Sequence, residues 1–202
     1  MKLLILNGAR DSRPGLNPGY RGTYRAHPSH CDELPDEHEI NRLFFWFLEE
    51  GGELGVVQDL PKAQRFAELW NARLNESQRF EVIEATDLGT TPSPRGSFIG
   101  FDLSAGYNNS LLAEGLKQSV GATHLPEPIR EFWDLICQHY APQLNRQGLF
   151  QTLETANLCL RSMTALQRLS PNFFEGGDLS DFHPVRLHAV SVGGAPVGPQ
   201  AV

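Results

Sequence analysis

Residues 79–103 read RFEVIEATDLGTTPSPRGSFIGFDL, and this stretch decides the fold class. RFEVIEAT (79–86) and SFIGFDL (97–103) are rich in β-branched and aromatic residues, and the ten residues between them are turn formers. Two strands therefore follow each other with no helix between them. Before this stretch, KLLIL (2–6) fits a short buried strand. A helix beginning at Pro35 follows, with Asp36, Glu37 and Glu39 in its first turn, where the helix dipole favours negative charge. Ile40, Leu43, Phe44, Phe47 and Leu48 form its apolar stripe, and Gly51-Gly52 stops it.

A second helix is predicted from Pro61 to about Glu76, with Ala63, Phe66, Ala67, Trp70 and Leu74 inward. After the strand pair come a short helix over 108–118, one over 126–140 with Ile129, Phe132, Trp133 and Ile136 on one face, and one over 149–169. HPVRLHAVSV (183–192) reads as a last strand. The order β-α-α-β-β-α-α-α-β lacks the regular alternation of a doubly wound sheet. It implies a single α+β domain over 1–192, a small antiparallel or mixed sheet with several packed helices, and a mobile tail at 193–202. Residues 7–34 form a long basic loop without periodicity.

Charge is distributed unevenly along the 202 residues, whose formal net charge is −7. Lys2, Arg10, Arg13, Arg21 and Arg25 face only Asp11 within the first thirty residues, so nearly all the acid lies in the rest. An acidic body argues against general nucleic-acid binding, which depends on neutralising phosphates, and suits a soluble protein or one whose partner is basic. No apolar run approaches the roughly 20 residues that cross a bilayer, and the N-terminal apolar stretch is too short for a secretion signal. Cys31, Cys137 and Cys159 are scattered and odd in number, which points to a reducing cytoplasm; the latter two sit in helical patterns as small buried apolar residues.

Candidate chemistry gathers at His27, His30 and Cys31. The x₂ spacing lets two imidazoles converge on one ion, Cys31 adds a thiolate, and His38, Asp32, Asp36 or Glu37 could complete a tetrahedral zinc set. Against this, structural zinc usually recruits a second ligand pair, and none follows. Cys31 beside two histidines also has the elements of an activated thiol. Neither a G-x-S-x-G elbow nor a G-x-G-x-x-G or P-loop motif is present. Among carboxylates, Glu81 and Glu84 fall on opposite faces of a regular strand. Asp87 and Asp102 would share one end of the sheet if their strands were neighbours, although such acids more often cap turns. His188, between Leu187 and Ala189, reads as exposed or held by a hydrogen bond, with His183 at the other end of the last strand. Phe45 and Trp46 fall off the stripe of their helix and either widen its buried face or form an aromatic patch for a partner.

Two resemblances bear on function. MKLLILNGARDSRPG (1–15) resembles the opening of flavodoxin-like flavin reductases, where a strand ending in Asn-Gly enters a phosphate-cradling loop; here Pro14, Pro18, Gly19 and Gly22 follow instead of a helix. Gly100-Phe101-Asp102, Ser110 to Leu112, and Leu144 to Phe150 resemble motifs of small uncharacterised bacterial α+β proteins, some of them immunity partners of toxins. That resemblance covers about a quarter of the chain and implies a strand end, a helix start and a glycine turn, with no functional residue carried over.

The expectation is a cytoplasmic, non-enzymatic protein-binding domain, of the toxin-neutralising kind, that engages a basic protein without cofactor, nucleic acid or membrane. Its candidate binding residues are Phe45, Trp46 and the loop arginines Arg10, Arg13, Arg21 and Arg25. The alternative is a metal-dependent or phosphate-handling enzyme using the His27/His30/Cys31 loop, with zinc as the ion.

Overall fold

The structure is a computed structural model and describes residues 2–8, 38–51, 56–72, 80–89, 96–105, 109–114, 116, 126–145, 147–171 and 178–190. Its elements run β1 (Lys2–Gly8), α1 (His38–Gly51), β2 (Val56–Val57), α2 (Leu60–Asn71), β3 (Phe80–Asp87), β4 (Ser97–Ala105), β5 (Asn109–Ser110), α3 (Leu111–Glu114), α4 (Glu127–Tyr140), α5 (Leu153–Leu169) and β6 (His183–Val190). Short 3₁₀ turns occupy Ala141–Gln143 and Leu179–Asp181. The chain is α+β with antiparallel pairing in β1–β2, β1–β3 and β4–β5. It divides into two compact units; among the described residues, the first holds β1 to β3, α1, α2 and the segments 96–98 and 187–190, and the second runs from Ile99 to Arg186.

In the first unit, β1 lies between β2 and β3. The β1–β3 ladder runs from Lys2↔Thr86 to Gly8↔Phe80. β1 therefore extends two residues beyond the expected strand, because Asn7 and Gly8 still find partners on β3 and satisfy their backbone groups there. Successive residues Val82 to Thr86 are all buried, so β3 is covered on both faces. α2 packs against β3 and β1 through a face containing Ala63, Phe66 and Ala67. Its start is capped by Asp59, whose Oδ1 accepts the Lys62 N–H at 3.0 Å. Gly96 lies so close to β6 that a Cβ there would meet the Ala189 carbonyl oxygen at 2.6 Å.

The second unit is built on a core of Phe101, Leu103, Trp133, Ile136, Tyr140, Phe150, Met163 and Leu166, joined by smaller neighbours. Each large side chain buried there contributes roughly 1.5–3 kcal/mol. α4 opens with Pro128 in its first turn, and Trp133, Ile136 and Tyr140 form its buried row. α5 does not begin at 149, as its apolar pattern suggests, but at Leu153. The Thr152 hydroxyl accepts the Thr155 N–H at 3.2 Å as its cap, and Phe150 is used elsewhere. Phe150 pairs with Phe101 through two backbone bonds of 2.8 and 3.1 Å, which holds it extended. The predicted helix over 108–118 is likewise shorter. Asn109 and Ser110 pair with β4, leaving Leu111–Glu114 helical among the described residues.

Of the expected boundaries, Pro35 to Glu37, the far end of the second helix past residue 72, most of the basic loop and the tail lie outside the described residues.

Gly100 has φ +148, and a Cβ on it would stand 2.6 Å from Leu149 Cβ and 3.0 Å from the Phe150 oxygen. Gly100→Ala is expected to destabilise the protein by about 2 kcal/mol or more, since backbone and packed neighbours must both yield. Gly89→Ala, with open space around it, is the matched control expected to leave the urea midpoint nearly unchanged.

Candidate functional site

The most fully specified polar and aromatic cluster on the first unit joins α1 to α2. Glu39, in the first turn of α1, receives a two-pronged bond from Arg65 on α2, Nε to Oε1 and Nη2 to Oε2, both 3.0 Å. Arg65 also lies 3.6 Å from Glu68. At the end of α1, Glu50 accepts from Trp46 Nε1 through Oε2 and from the Gln58 N–H through Oε1 at 3.1 Å. Lys62 sits over the Trp46 ring, 5.3 Å from its centroid, while pairing with Asp59 at 3.5 Å. Trp46 is thus half-buried and held from its edge and its face, a rigid support rather than a loose side chain. Phe45, beside it, is 60% exposed.

Of the two readings for these aromatics, each applies to one residue. Trp46 widens the packed side of α1, and Phe45 presents an aromatic ring to the surface. The supporting residues Glu50, Gln58, Lys62 and Arg65 escape a sequence reading because they come from two helices and the connection between them. The one local signal is the i, i+4 spacing of Trp46 and Glu50.

The remaining candidates divide by position. His27, His30, Cys31, Arg10, Arg13, Arg21 and Arg25 lie outside the described residues. Among the described residues no group of three or more His, Cys, Asp or Glu could hold a metal ion, and no helix is long and apolar enough to cross a membrane. Asp87 closes β3, which pairs with β1, and is half-buried; β4, which carries Asp102, pairs with β5. Asp102 lies inside β4, buried, and its Oδ1 accepts the adjacent Leu103 N–H at 2.8 Å. That is the role of a satisfied interior acid, not of a residue at a strand end. Glu84 is buried in β3 opposite Leu4, and among the described residues its Oε1 has no hydrogen-bond partner. Leaving such an oxygen unsatisfied costs about 1–3 kcal/mol. His188 is buried rather than exposed and meets Phe98 edge-on at 5.8 Å, while His183 is exposed.

Cys137 and Cys159 behave as packed apolar residues. Burial, with Asp134 adding to it, pushes the Cys137 thiol up to about 11. Burial and the neighbouring Cys137 push Cys159 up to about 12. Neither thiol is a nucleophile at neutral pH.

Two outcomes follow. In a Cys31→Ala background at pH 8, about one Cys137 in a thousand is ionised at any moment. A thiol reagent is therefore expected to label neither remaining cysteine in the native protein and both after denaturation. The Arg65 hydrogen bond, helped by its charge and that of Arg42, holds the Glu39 carboxyl below its ordinary value of 4.5. A depressed folded-state value means the pairing stabilises fully above 4.5 and is lost as pH falls through the lowered value. An NMR titration should show the Glu39 carboxyl shifting upward in Arg65→Ala. Because the pair faces solvent, thermal stability at pH 7 should hardly move.

Comparison of the chain with protein-family models, with curated proteins and with solved structures returns no match.

Proposed function

We propose that this chain is a cytoplasmic, non-enzymatic protein-binding domain that engages a basic protein partner through the α1 surface around Phe45, and that it neutralises a toxin by masking that partner's basic active site. The observation that carries this reading is Phe45 itself: a large ring 60% exposed, next to a tryptophan already fixed by Glu50 and Lys62. An aromatic side chain on a pre-ordered support loses little conformational freedom on docking, which is the usual character of an interface anchor. Glu49, also exposed on α1 one turn after Phe45, places negative charge beside the ring. The overall charge of −7 adds long-range attraction for a basic surface.

The test is capture of the partner from the native cell with the full chain, followed by affinity measurement with the purified pair. Phe45→Ala is expected to weaken binding at least tenfold with an unchanged circular dichroism spectrum, and raising salt should slow association. Co-expression of the chain should restore growth to cells producing the partner, and Phe45→Ala should fail to do so. Undiminished affinity in the variant, or a partner whose production harms no cell, would count against the proposal.

A further inference from the structure

A second surface, on the other unit, has the pattern of a docking face. Along α5, Leu158, Ser162, Ala165 and Leu169 recur at i, i+4, i+7 and i+11, a single row three turns long. Leu158 is 46% and Leu169 69% exposed, and Ala165 between them is exposed as well. Ala156, Cys159, Met163 and Leu166 of the same helix, roughly 100° round the axis from this row, are the residues that fill the core. The exposed row lies outside that buried set. It is held rigidly all the same: Thr152 caps the start of α5, and Ser162 Oγ bonds both Leu158 O at 3.0 Å and the Tyr140 hydroxyl of α4 at 3.1 Å.

Charge beside the row specifies what covers it. Arg161 and Arg168 lie one heptad apart along its edge, both exposed, and among the described residues neither makes an ion pair or hydrogen bond. Arg65 on α2 and Arg130 on α4, by contrast, are paired, the first with Glu39 and Glu68 and the second with Glu127. An apolar row edged by two uncompensated guanidinium groups, on a protein whose net charge is −7, is a local reversal of sign. We infer that this face of α5 binds an acidic amphipathic helix of a protein partner. The occupant's apolar residues lie along Leu158, Ala165 and Leu169, and its Asp or Glu side chains take up Arg161 and Arg168. This is helix-to-helix recognition, with carboxylates matching the planar fork of arginine. The face is separate from the Phe45 surface in sequence and in unit, and it selects the opposite partner charge.

The experiment uses the full chain and two designed, fluorescently labelled helical peptides of 18 residues. Both carry Leu at i, i+4, i+7 and i+11; one has Glu beside that row and the other has Lys. The Glu peptide is expected to bind at least tenfold more tightly than the Lys peptide. In the double variant Arg161→Glu/Arg168→Glu the preference should reverse. Leu158→Ser/Leu169→Ser, at exposed positions that leave the core row intact, should abolish binding of both peptides, whereas Phe45→Ala should change nothing. Equal binding of the two peptides, or a preference that survives the charge reversal, overturns the inference. Two further measurements can also overturn it: sedimentation showing a self-associated protein that the leucine variants disperse, and flotation with anionic vesicles that those variants prevent. The first would assign the face to a second copy of the chain, the second to a lipid surface.

Discussion

The pairing of Phe150 with Phe101, fixed by Asn145, is the constraint around which the second unit is organised. Asn145 works at both ends of its amide: Oδ1 accepts the N–H groups of Gln147 and Leu149 at 2.9 and 3.0 Å, and Nδ2 donates to the Ile99 carbonyl at 2.8 Å. Its backbone N–H bonds Leu149 O, and Gly148, at φ +74, closes the turn back to Asn145 O. One side chain thereby satisfies donors and an acceptor of two chain segments more than forty residues apart. Gly100 permits the approach, because the space a Cβ would need is occupied by Leu149. Once Phe150 is bridged to β4, α5 starts two residues later at its Thr152 cap. Its buried row then meets Trp133, Ile136 and Tyr140 within the same core. The exposed leucines of α5 follow from that placement: a helix that commits one row to the core leaves the rest of its surface outward.

The first unit is ordered differently. There a long antiparallel ladder between β1 and β3 supplies backbone satisfaction, and the helices are joined by side chains at their outer surface. The bonds from Arg65 to Glu39 and the contacts of Trp46 with Glu50 and Lys62 are solvent-facing and individually weak, so their effect is on geometry more than on stability. They fix the orientation of α1 relative to α2, and with it the direction in which Phe45 is presented. Glu84, buried in β3 with one oxygen unsatisfied among the described residues, is the opposite case: a cost within the interior that the ladder and apolar neighbours offset.

Much of this architecture is legible in the residues. The 3.6-residue rows of α2, α4 and α5, the proline-opened start of α4 and the two adjacent strands at 80–87 and 97–105 follow from local pattern. What escapes that reading has a common cause. Val56–Val57 and Asn109–Ser110 are two-residue strands, too short to carry a period, and they exist only because β1 and β4 lie beside them. Phe150 fits an apolar helical row as well as it fits a bridge, and a partner fifty residues away decides between them. The same holds at the candidate sites. Phe45 and Trp46 stand out as residues off the helical stripe, but that one ring is exposed and the other clamped depends on Glu50, Gln58 and Lys62.

The sequence by itself determined the α+β class, the amphipathic helices, the acidic balance and the inert, apolar character of Cys137 and Cys159. These are properties of composition and short-range periodicity, which act within one helix or strand. The strand registers, the burial of Glu84 and Asp102 and, among the described residues, the lack of a partner for Arg161 and Arg168 beside an exposed apolar row were settled only by tertiary structure. Each of those depends on which residues distant in the chain are brought within hydrogen-bonding or ion-pairing distance, and at that range a single sequence has no period to reveal.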